Sequence, residues 1–256
     1  MNKVFTRLVS VFLLLNTAVL LSAENSESLP VYTAEVVNTY PHDDNAFTQG
    51  LLFYEGKLFE GTGRNGQSSI REVDLESGEL LRRQNLPPRY FGEGITIMNG
   101  KVYQLTWRSH LGFVYDLESF KQEKSFFLAG EGWGITHDGE SLIVSDGTAQ
   151  LRFLDPDTLT EQRRINVTLN GQPVRNLNEL EFINGEVWAN VWYEDFIIRI
   201  DPASGEVNSL INLTGLYPDR RSNDEVLNGI AWDAHTRRLF VTGKLWSSVY
   251  EIEIRE

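Results

Sequence analysis

Apolar positions along this chain come in short runs, each closed by a turn signal and followed by a second short run. Five segments share the pattern: a polar or aromatic residue, usually a glycine, an apolar stretch, a tight turn, then another apolar stretch. They begin at Gln49-Gly50-Leu51, Glu93-Gly94-Ile95, Trp133-Gly134-Ile135, Asn178-Glu179-Leu180 and Asn228-Gly229-Ile230, with successive starts 44, 40, 45 and 50 residues apart. Turn dipeptides follow at Glu55-Gly56, Asn99-Gly100, Asp138-Gly139 and Asn184-Gly185, a chemistry that suits two-residue hairpins. Further on, Asp74-Leu75-Glu76-Ser77-Gly78, Asp116-Leu117-Glu118-Ser119, Asp155-Pro156-Asp157-Thr158 and Asp201-Pro202-Ala203-Ser204-Gly205 repeat a second turn built on an aspartate side chain.

Each repeat therefore predicts about four short antiparallel strands, the content of one propeller blade. Runs such as Val102-Tyr103-Gln104-Leu105 and Phe196-Ile197-Ile198-Arg199-Ile200 fit strands buried on one or both faces. The last copy stops at Glu251-Ile252-Glu253-Ile254, one strand short, and the apolar stretch Val31–Tyr40 is available to supply it. The expected fold is all-β: a five-bladed β-propeller over residues 31–256, closed by an N-terminal strand so that no sheet edge is left to aggregate. A β-sandwich accommodates five repeats of this length poorly.

Residues 1–23 read differently. Lys3 and Arg7 open the chain, Leu8–Leu21 is an apolar run, and Ser22-Ala23 are small residues ahead of Glu24. That is the layout of a secretory signal peptide, and the run is short for a bilayer span; an uncleaved membrane anchor is the alternative. Residues 24–30 read as a linker, and the mature protein is expected in the periplasm or secreted. The 256 residues contain no cysteine, which rules out disulfides, thiolate metal ligands, a cysteine nucleophile and bacterial-type lipidation. A formal charge of −13, more negative once Lys3 and Arg7 are removed, disfavours nucleic acid and anionic membrane as partners. A monomer is expected.

In a propeller the first strand of each blade lines the axis and the second runs back beside it. The residue that begins strand one and the residue that ends strand two then share one face near the axis. The first of these columns is Gln49, Glu93, Trp133, Asn178 and Asn228; the second is Gly63, Trp107, Gly147, Trp192 and Lys244. Taken singly, a tryptophan is core packing, an asparagine a turn cap and a glutamate a solvated loop residue. Together they put an acid, three amides, three tryptophans and a lysine at one end of the axis, the composition of a ligand pocket. Competing motifs are weaker. His42, His110, His137 and His235 lack metal-ligand spacing, and no Gly-x-Ser-x-Gly elbow is present. Gly61-Thr62-Gly63-Arg64-Asn65-Gly66 runs back into a strand with no helix after it, so it reads as a hairpin, not a nucleotide loop. Asn166-Val167-Thr168 and Asn212-Leu213-Thr214 are glycan acceptor sequences.

Several segments resemble a known family. Tyr40-Pro41-His42-Asp43, Ala46-Phe47-Thr48-Gln49-Gly50-Leu51, Phe91-Gly92-Glu93-Gly94, Leu105-Thr106-Trp107, Glu131-Gly132-Trp133-Gly134, Leu177-Asn178-Glu179-Leu180-Glu181 and Val241-Thr242-Gly243-Lys244-Leu245-Trp246 are similar, in order, to glutaminyl-peptide cyclotransferases of the plant and bacterial type. The likeness runs from about Val31 to the C-terminus. It implies a five-bladed propeller that cyclises an N-terminal glutamine of a peptide or protein to pyroglutamate and releases ammonia. It also implies that Phe47, Phe91, Trp107, Trp133 and Trp192 bind the substrate beside Glu93, Lys244, Asn178 and Gln49, with Glu93 the catalytic acid/base. Asp44 and Ser247 depart from the family pattern, where proline is common, and bear on loop rigidity alone. From the residues themselves, Gln49 and Asn178 can hold the γ-carboxamide or an oxyanion, and Lys244 can serve either purpose. Phe91 and the tryptophans would raise the pKa of Glu93 while Lys244 would lower it. The alternatives are an exported propeller that only binds a ligand, or a calcium-dependent lactonase-like hydrolase; the latter needs several acids at the axis, where the first column has one. No cofactor is expected to be required for catalysis, and a structural calcium on backbone carbonyls is allowed.

Overall fold

In the computed structural model, residues 28–255 are described; the expected signal segment lies outside them. Strand β1 (Val31–Pro41) comes first. Three four-stranded antiparallel sheets follow, each in chain order: β2 (Thr48–Tyr54), β3 (Lys57–Thr62), β4 (Ser69–Val73) and β5 (Leu80–Asn85); β6 (Gly92–Met98), β7 (Lys101–Thr106), β8 (Leu111–Asp116) and β9 (Gln122–Phe127); β10 (Ile135–His137), β11 (Leu142–Ser145), β12 (Gln150–Leu154) and β13 (Glu161–Asn166). A small hairpin, β14 (Thr168–Leu169) and β15 (Gln172–Pro173), leads to β16 (Leu177–Ile183), β17 (Glu186–Val191), β18 (Phe196–Ile200), β19 (Val207–Asn212), β20 (Leu227–Asp233), β21 (Arg238–Gly243) and β22 (Ser248–Arg255). These seven join β1 in an eight-stranded sheet of order β16-β17-β18-β19-β1-β22-β21-β20. The described residues are all-β, with no helix.

The turn chemistry places the strands. Glu55-Gly56, Asn99-Gly100 and Asn184-Gly185 each hold both residues at positive φ, the geometry that matches strand twist in two-residue hairpins. At the aspartate turns, the carboxylates of Asp74, Asp116 and Asp155 accept from the backbone N–H three residues on, at 2.8, 2.9 and 2.7 Å. Strand β1 does what the incomplete last repeat requires. It pairs antiparallel with β22 from Thr33 to Pro41 and parallel with β19 from Val31 to Thr33, so the first and last described strands lie side by side. The expected linker is already tied down at its end: Leu29 packs on the core and the Pro30 carbonyl accepts from Leu210 N at 3.0 Å.

The first strands meet at the centre. β2 touches β6 and β20, β6 touches β10, β10 touches β16, and β16 returns to β20. Apolar clusters fill the spaces between neighbours: Ile70 with Val102, Leu105 with Leu142, Phe153 with Leu180, Ile197 with Val241, and Leu58 with Phe240. Each large side chain fully buried this way contributes about 1.5–3 kcal/mol. At the centre, backbone approaches backbone. A Cβ on Gly50 would lie 2.5 Å from Ile95 N, and one on Gly94 2.7 Å from the Trp133 carbonyl; one on Gly134 would strike the Asn178 carbonyl oxygen. That is why glycine recurs behind the first column. The fourth copy carries Glu179 instead, and its carboxylate crosses the centre to accept from Leu51 N at 3.3 Å and Ile230 N at 2.9 Å. Burial holds Glu179 well above the usual carboxylate range, and Glu181 adds to the effect. Burial likewise raises Glu181 to about 8.

Two outcomes are expected. Gly134→Ala forces strands apart where no flexible group can yield, and should lower unfolding free energy by about 1–3 kcal/mol in denaturant titration; an unchanged midpoint would show that the central crowding is slack. Glu181 ionises near 4.5 when unfolded and about 8 when folded, so its contribution is full below the lower value and declines as pH rises toward the upper one. Glu181→Gln should therefore gain stability relative to wild type between about pH 5 and pH 8, and parallel stability–pH curves would contradict this.

Candidate functional site

The first column owes its direction to a repeated irregularity. The pairing of first and second strands slips between Thr48 and Gly50, Gly92 and Ile95, Leu177 and Leu180, and Leu227 and Ile230. Gln49, Glu93, Asn178 and Asn228 sit inside these slips, lifted out of the ladder, as bulges beside functional sites commonly do. A backbone bond closes each bulge. The N–H of the second-column residue donates to the carbonyl two positions before the first-column residue: Gly63 to Phe47 at 2.8 Å, Trp107 to Phe91 at 3.1 Å, Trp192 to Asn176 at 2.9 Å and Lys244 to Val226 at 2.9 Å. In the third copy Trp133 N bonds Ser145 O at 3.0 Å, and Ser145 Oγ donates to the Asn178 carbonyl at 2.6 Å.

The result is one cavity of about 220 Å3 lined by Phe47, Gln49, Phe91, Glu93, Trp107, Trp133, Asn178, Trp192 and Lys244, together with Tyr193 and Asp224. Gln49, Glu93, Trp133 and Asn178 of the first column and Trp107, Trp192 and Lys244 of the second thus face the same space, while Asn228, Gly63 and Gly147 do not line it. Its walls are two aromatic arcs. Phe47 meets Phe91 edge-on at 6.0 Å and Phe91 meets Trp107 at 5.5 Å; Trp133 meets Trp192 edge-on at 5.3 Å, and Trp192 stacks on Tyr193 at 4.4 Å. Lys244 closes one gap between the arcs, its Nζ 5.0 Å from the Phe47 ring and 5.9 Å from the Trp192 ring, a placement that favours a cation. Asn228, the remaining first-column residue, stands behind the wall and donates to Gln49 Oε1 at 3.3 Å.

The floor is polar and buried. Glu93 is 4% exposed, and its pKa is raised well above the carboxylate range by burial, with Lys244 opposing and Glu131 adding to the rise. The contest between apolar walls and Lys244 is therefore won by burial. Lys244 itself is lowered to about 8 by burial, against the pull of Glu93 and Asp224. Asn178 Oδ1 is buried with no hydrogen-bond partner among the described residues, an arrangement costly unless a ligand supplies a donor. Gln49 uses its oxygen on Asn228, which leaves its amide N–H groups to donate. The site thus offers a buried carboxyl, a nearby amine, one acceptor without a partner among the described residues and the Gln49 amide donors, within aromatic walls.

Three contributors escaped the sequence reading. Glu131 Oε2 accepts from Trp107 Nε1 at 2.7 Å and Trp133 Nε1 at 2.9 Å, while Oε1 accepts from Arg108 at 2.9 Å. It staples the two aromatic arcs together opposite Lys244. A signal for it existed: Glu131 stands two positions before Trp133, as Phe47 and Phe91 stand two before Gln49 and Glu93. Tyr193, beyond the second column, and Asp224, in a loop without counterpart in other repeats, carried no such signal.

A family model described as glutamine cyclotransferase matches residues 9–254. A glutaminyl-peptide cyclotransferase of Arabidopsis thaliana is 46% identical over 229 residues, which cover 87% of this chain and 71% of the relative. The crystal structure of Myxococcus xanthus glutaminyl cyclase superposes with a TM-score of 0.84 at 36% identity, covering 89% of this chain and 99% of the other.

Glu131→Ala should remove both indole bonds, cost about 1–3 kcal/mol of stability and change the near-ultraviolet circular dichroism of the tryptophans. Glu131→Gln can still accept from the indoles through its amide oxygen and should keep that signal. An unchanged tryptophan spectrum in the alanine variant would show that packing alone sets the rings.

Proposed function

The chain belongs to the glutamine cyclotransferase family, and we propose that the cavity between its aromatic arcs is where an N-terminal glutamine is cyclised, with Glu93 moving the protons. The activity is that of a glutaminyl-peptide cyclotransferase: the α-amine attacks the γ-carboxamide carbon of the same residue, pyroglutamate forms and ammonia leaves. The observation that carries the residue assignment is the state of Glu93, a buried carboxyl raised well above its usual range at the floor of a water-excluding pocket.

Chemically, the nucleophile and electrophile already share one residue, so the protein must fold the side chain back and manage protons. The substrate enters mainly as an ammonium, whose ordinary pKa is about 7.7–8.0. A carboxylate at its solution value is a poor match for that proton; one raised by burial is a better one. Glu93 takes one proton and frees the amine lone pair. The C–N bond forms and the carbonyl electron pair moves onto oxygen; Glu93 passes its proton to the amide nitrogen and then takes the extra proton from the newly bonded, positively charged ring nitrogen. Collapse of the tetrahedral intermediate restores the carbonyl and breaks the old C–N bond, so NH3 departs. Gln49, with its oxygen engaged, donates to the developing oxyanion, and Lys244 supplies positive charge nearby. Asn178 Oδ1 accepts from a substrate N–H, and the indoles of Trp107, Trp133 and Trp192 favour the compact rotamer.

The wider reading follows the same lines. The eight-stranded sheet is two four-stranded blades laced by β1, so the repeats form a five-bladed β-propeller, and the ring of first-strand contacts supports that count. The features of residues 1–23 support export, with peptides or proteins bearing N-terminal glutamine as partners and the mature chain acting as a monomer off the membrane. No step is assigned to a cofactor.

Glu93→Gln should reduce kcat by about 10²–10⁴, with the thermal unfolding midpoint held or raised because a buried ionisable group is removed. The readout is ammonia release from a glutaminyl peptide; turnover within a factor of a few of wild type would sink the assignment.

A further inference from the structure

The pocket shows where the rest of the peptide must go. Glutamine at an N-terminus has one covalent exit, its α-carbonyl, so the second residue of any substrate lies wherever the cavity opens. Glu93, Gln49, Asn178 and Lys244 are all buried and form the floor. Tyr193, by contrast, is 57% exposed, and the Asp224 side chain is 61% exposed where it meets Arg64 at 3.4 Å. These residues make the lip.

Tyr193 combines three features at the lip. Its backbone is left-handed, at φ 72°, as it is at the same repeat position in Arg64 and Leu245, at φ 76° and 61°, so the repeat itself presents this side chain outward. Its ring lies flat on Trp192 at 4.4 Å and 27°, so one face is held by the pocket wall while much of the side chain stays in solvent. It also lines a second cavity of about 550 Å3 with Arg220, Arg221, Ser222, Asn223 and Val226, and so divides the reaction pocket from a neighbouring polar cleft. The corresponding residues in two other repeats, Arg64 and Arg108, lie over Phe47 at 4.5 Å and over Trp107 at 3.8 Å. In both of those repeats a cation covers the wall; in Tyr193's repeat an aromatic face does.

We propose that Tyr193 is the platform for the second residue of the substrate, selecting peptides in which an aromatic side chain follows the N-terminal glutamine, with the chain beyond leading into the Arg220–Val226 cleft. The proposal rests on the cyclase reading of the adjoining pocket. An aromatic ring stacked on Tyr193 extends the Trp192–Tyr193 stack by one layer, and the main chain then passes over the lip toward Arg220 and Arg221. Both arginines are already paired, Arg220 with Asp195 and Arg221 with Asp44 and Glu225, so the cleft offers ordered, largely neutralised polar groups suited to peptide amides rather than a bare cationic site.

The test compares kcat/KM for the tripeptide amides Gln-Phe-Ala and Gln-Ala-Ala in wild type, Tyr193→Phe and Tyr193→Asn. Asparagine tolerates the left-handed backbone and removes the ring; phenylalanine keeps the ring. Wild type and Tyr193→Phe should prefer the aromatic peptide by about three- to tenfold, the scale of one aromatic pair, and Tyr193→Asn should fall to a ratio near one. Equal kcat/KM for the two peptides in wild type, or an undiminished preference in Tyr193→Asn, would overturn the platform. If wild type turns over neither peptide, the cyclase reading fails instead, and calorimetric binding of the same two peptides to the same three proteins reads the same ratio.

Discussion

The structure depends on how closely the first strands of the repeats crowd at its centre. Gly50, Gly94 and Gly134 are so near the neighbouring backbone that a single methyl group would collide, and Glu179 spans the remaining gap to Leu51 and Ile230. Crowding of this kind leaves few ways for the strands to begin. Each chain must swing outward before its ladder becomes regular, and the bulges at Gln49, Glu93, Asn178 and Asn228 are where it does so. At four of the five repeats the start of the first strand thus lifts a polar side chain out of the ladder, and three of these, Gln49, Glu93 and Asn178, line the cavity.

Once lifted, those side chains are tuned by what surrounds them. Glu93 sits within aromatic walls with Lys244 near but in no direct ion pair with it among the described residues. Burial dominates, and the carboxyl and the amine move toward one another in basicity: Glu93 rises and Lys244 falls to about 8. A tight salt bridge would have done the opposite, driving the acid down and the amine up. Keeping the two apart across the cavity preserves a carboxylate able to accept a proton from an ammonium. Glu131 adds to this from behind the indoles, through its charge on Glu93 and its grip on Trp107 and Trp133.

The periphery follows a different logic. Arg64, Arg108 and Tyr193 occupy one repeat position and cover the outer faces of three pocket aromatics, while their charges and rings face the solvent from which a peptide arrives. Glu93, Gln49, Asn178 and Lys244 at the floor are buried, whereas Tyr193 and Asp224 at the lip are exposed.

Much of this was legible in the sequence because it is periodic. The turn dipeptides, the aspartate turns and the recurring glycine predict strands and their order, and the unpaired stretch Val31–Tyr40 predicts the partner of the last strand. The two columns predict which side chains share a cavity, since a hairpin of known length fixes where its two ends lie. What the sequence could not decide was anything set by neighbours from different repeats. The direction of the Glu93 pKa depends on how dry the pocket is and how far away Lys244 stands. The role of Glu131 depends on two indole nitrogens from different strands turning toward one oxygen. Tyr193 keeps its repeat position, but Asp224 reaches the lip through a loop that breaks the repeat. Periodicity carries information along the chain, but electrostatics and side-chain contacts depend on distances across it, and only the tertiary structure brings those distances within the few ångströms over which they act.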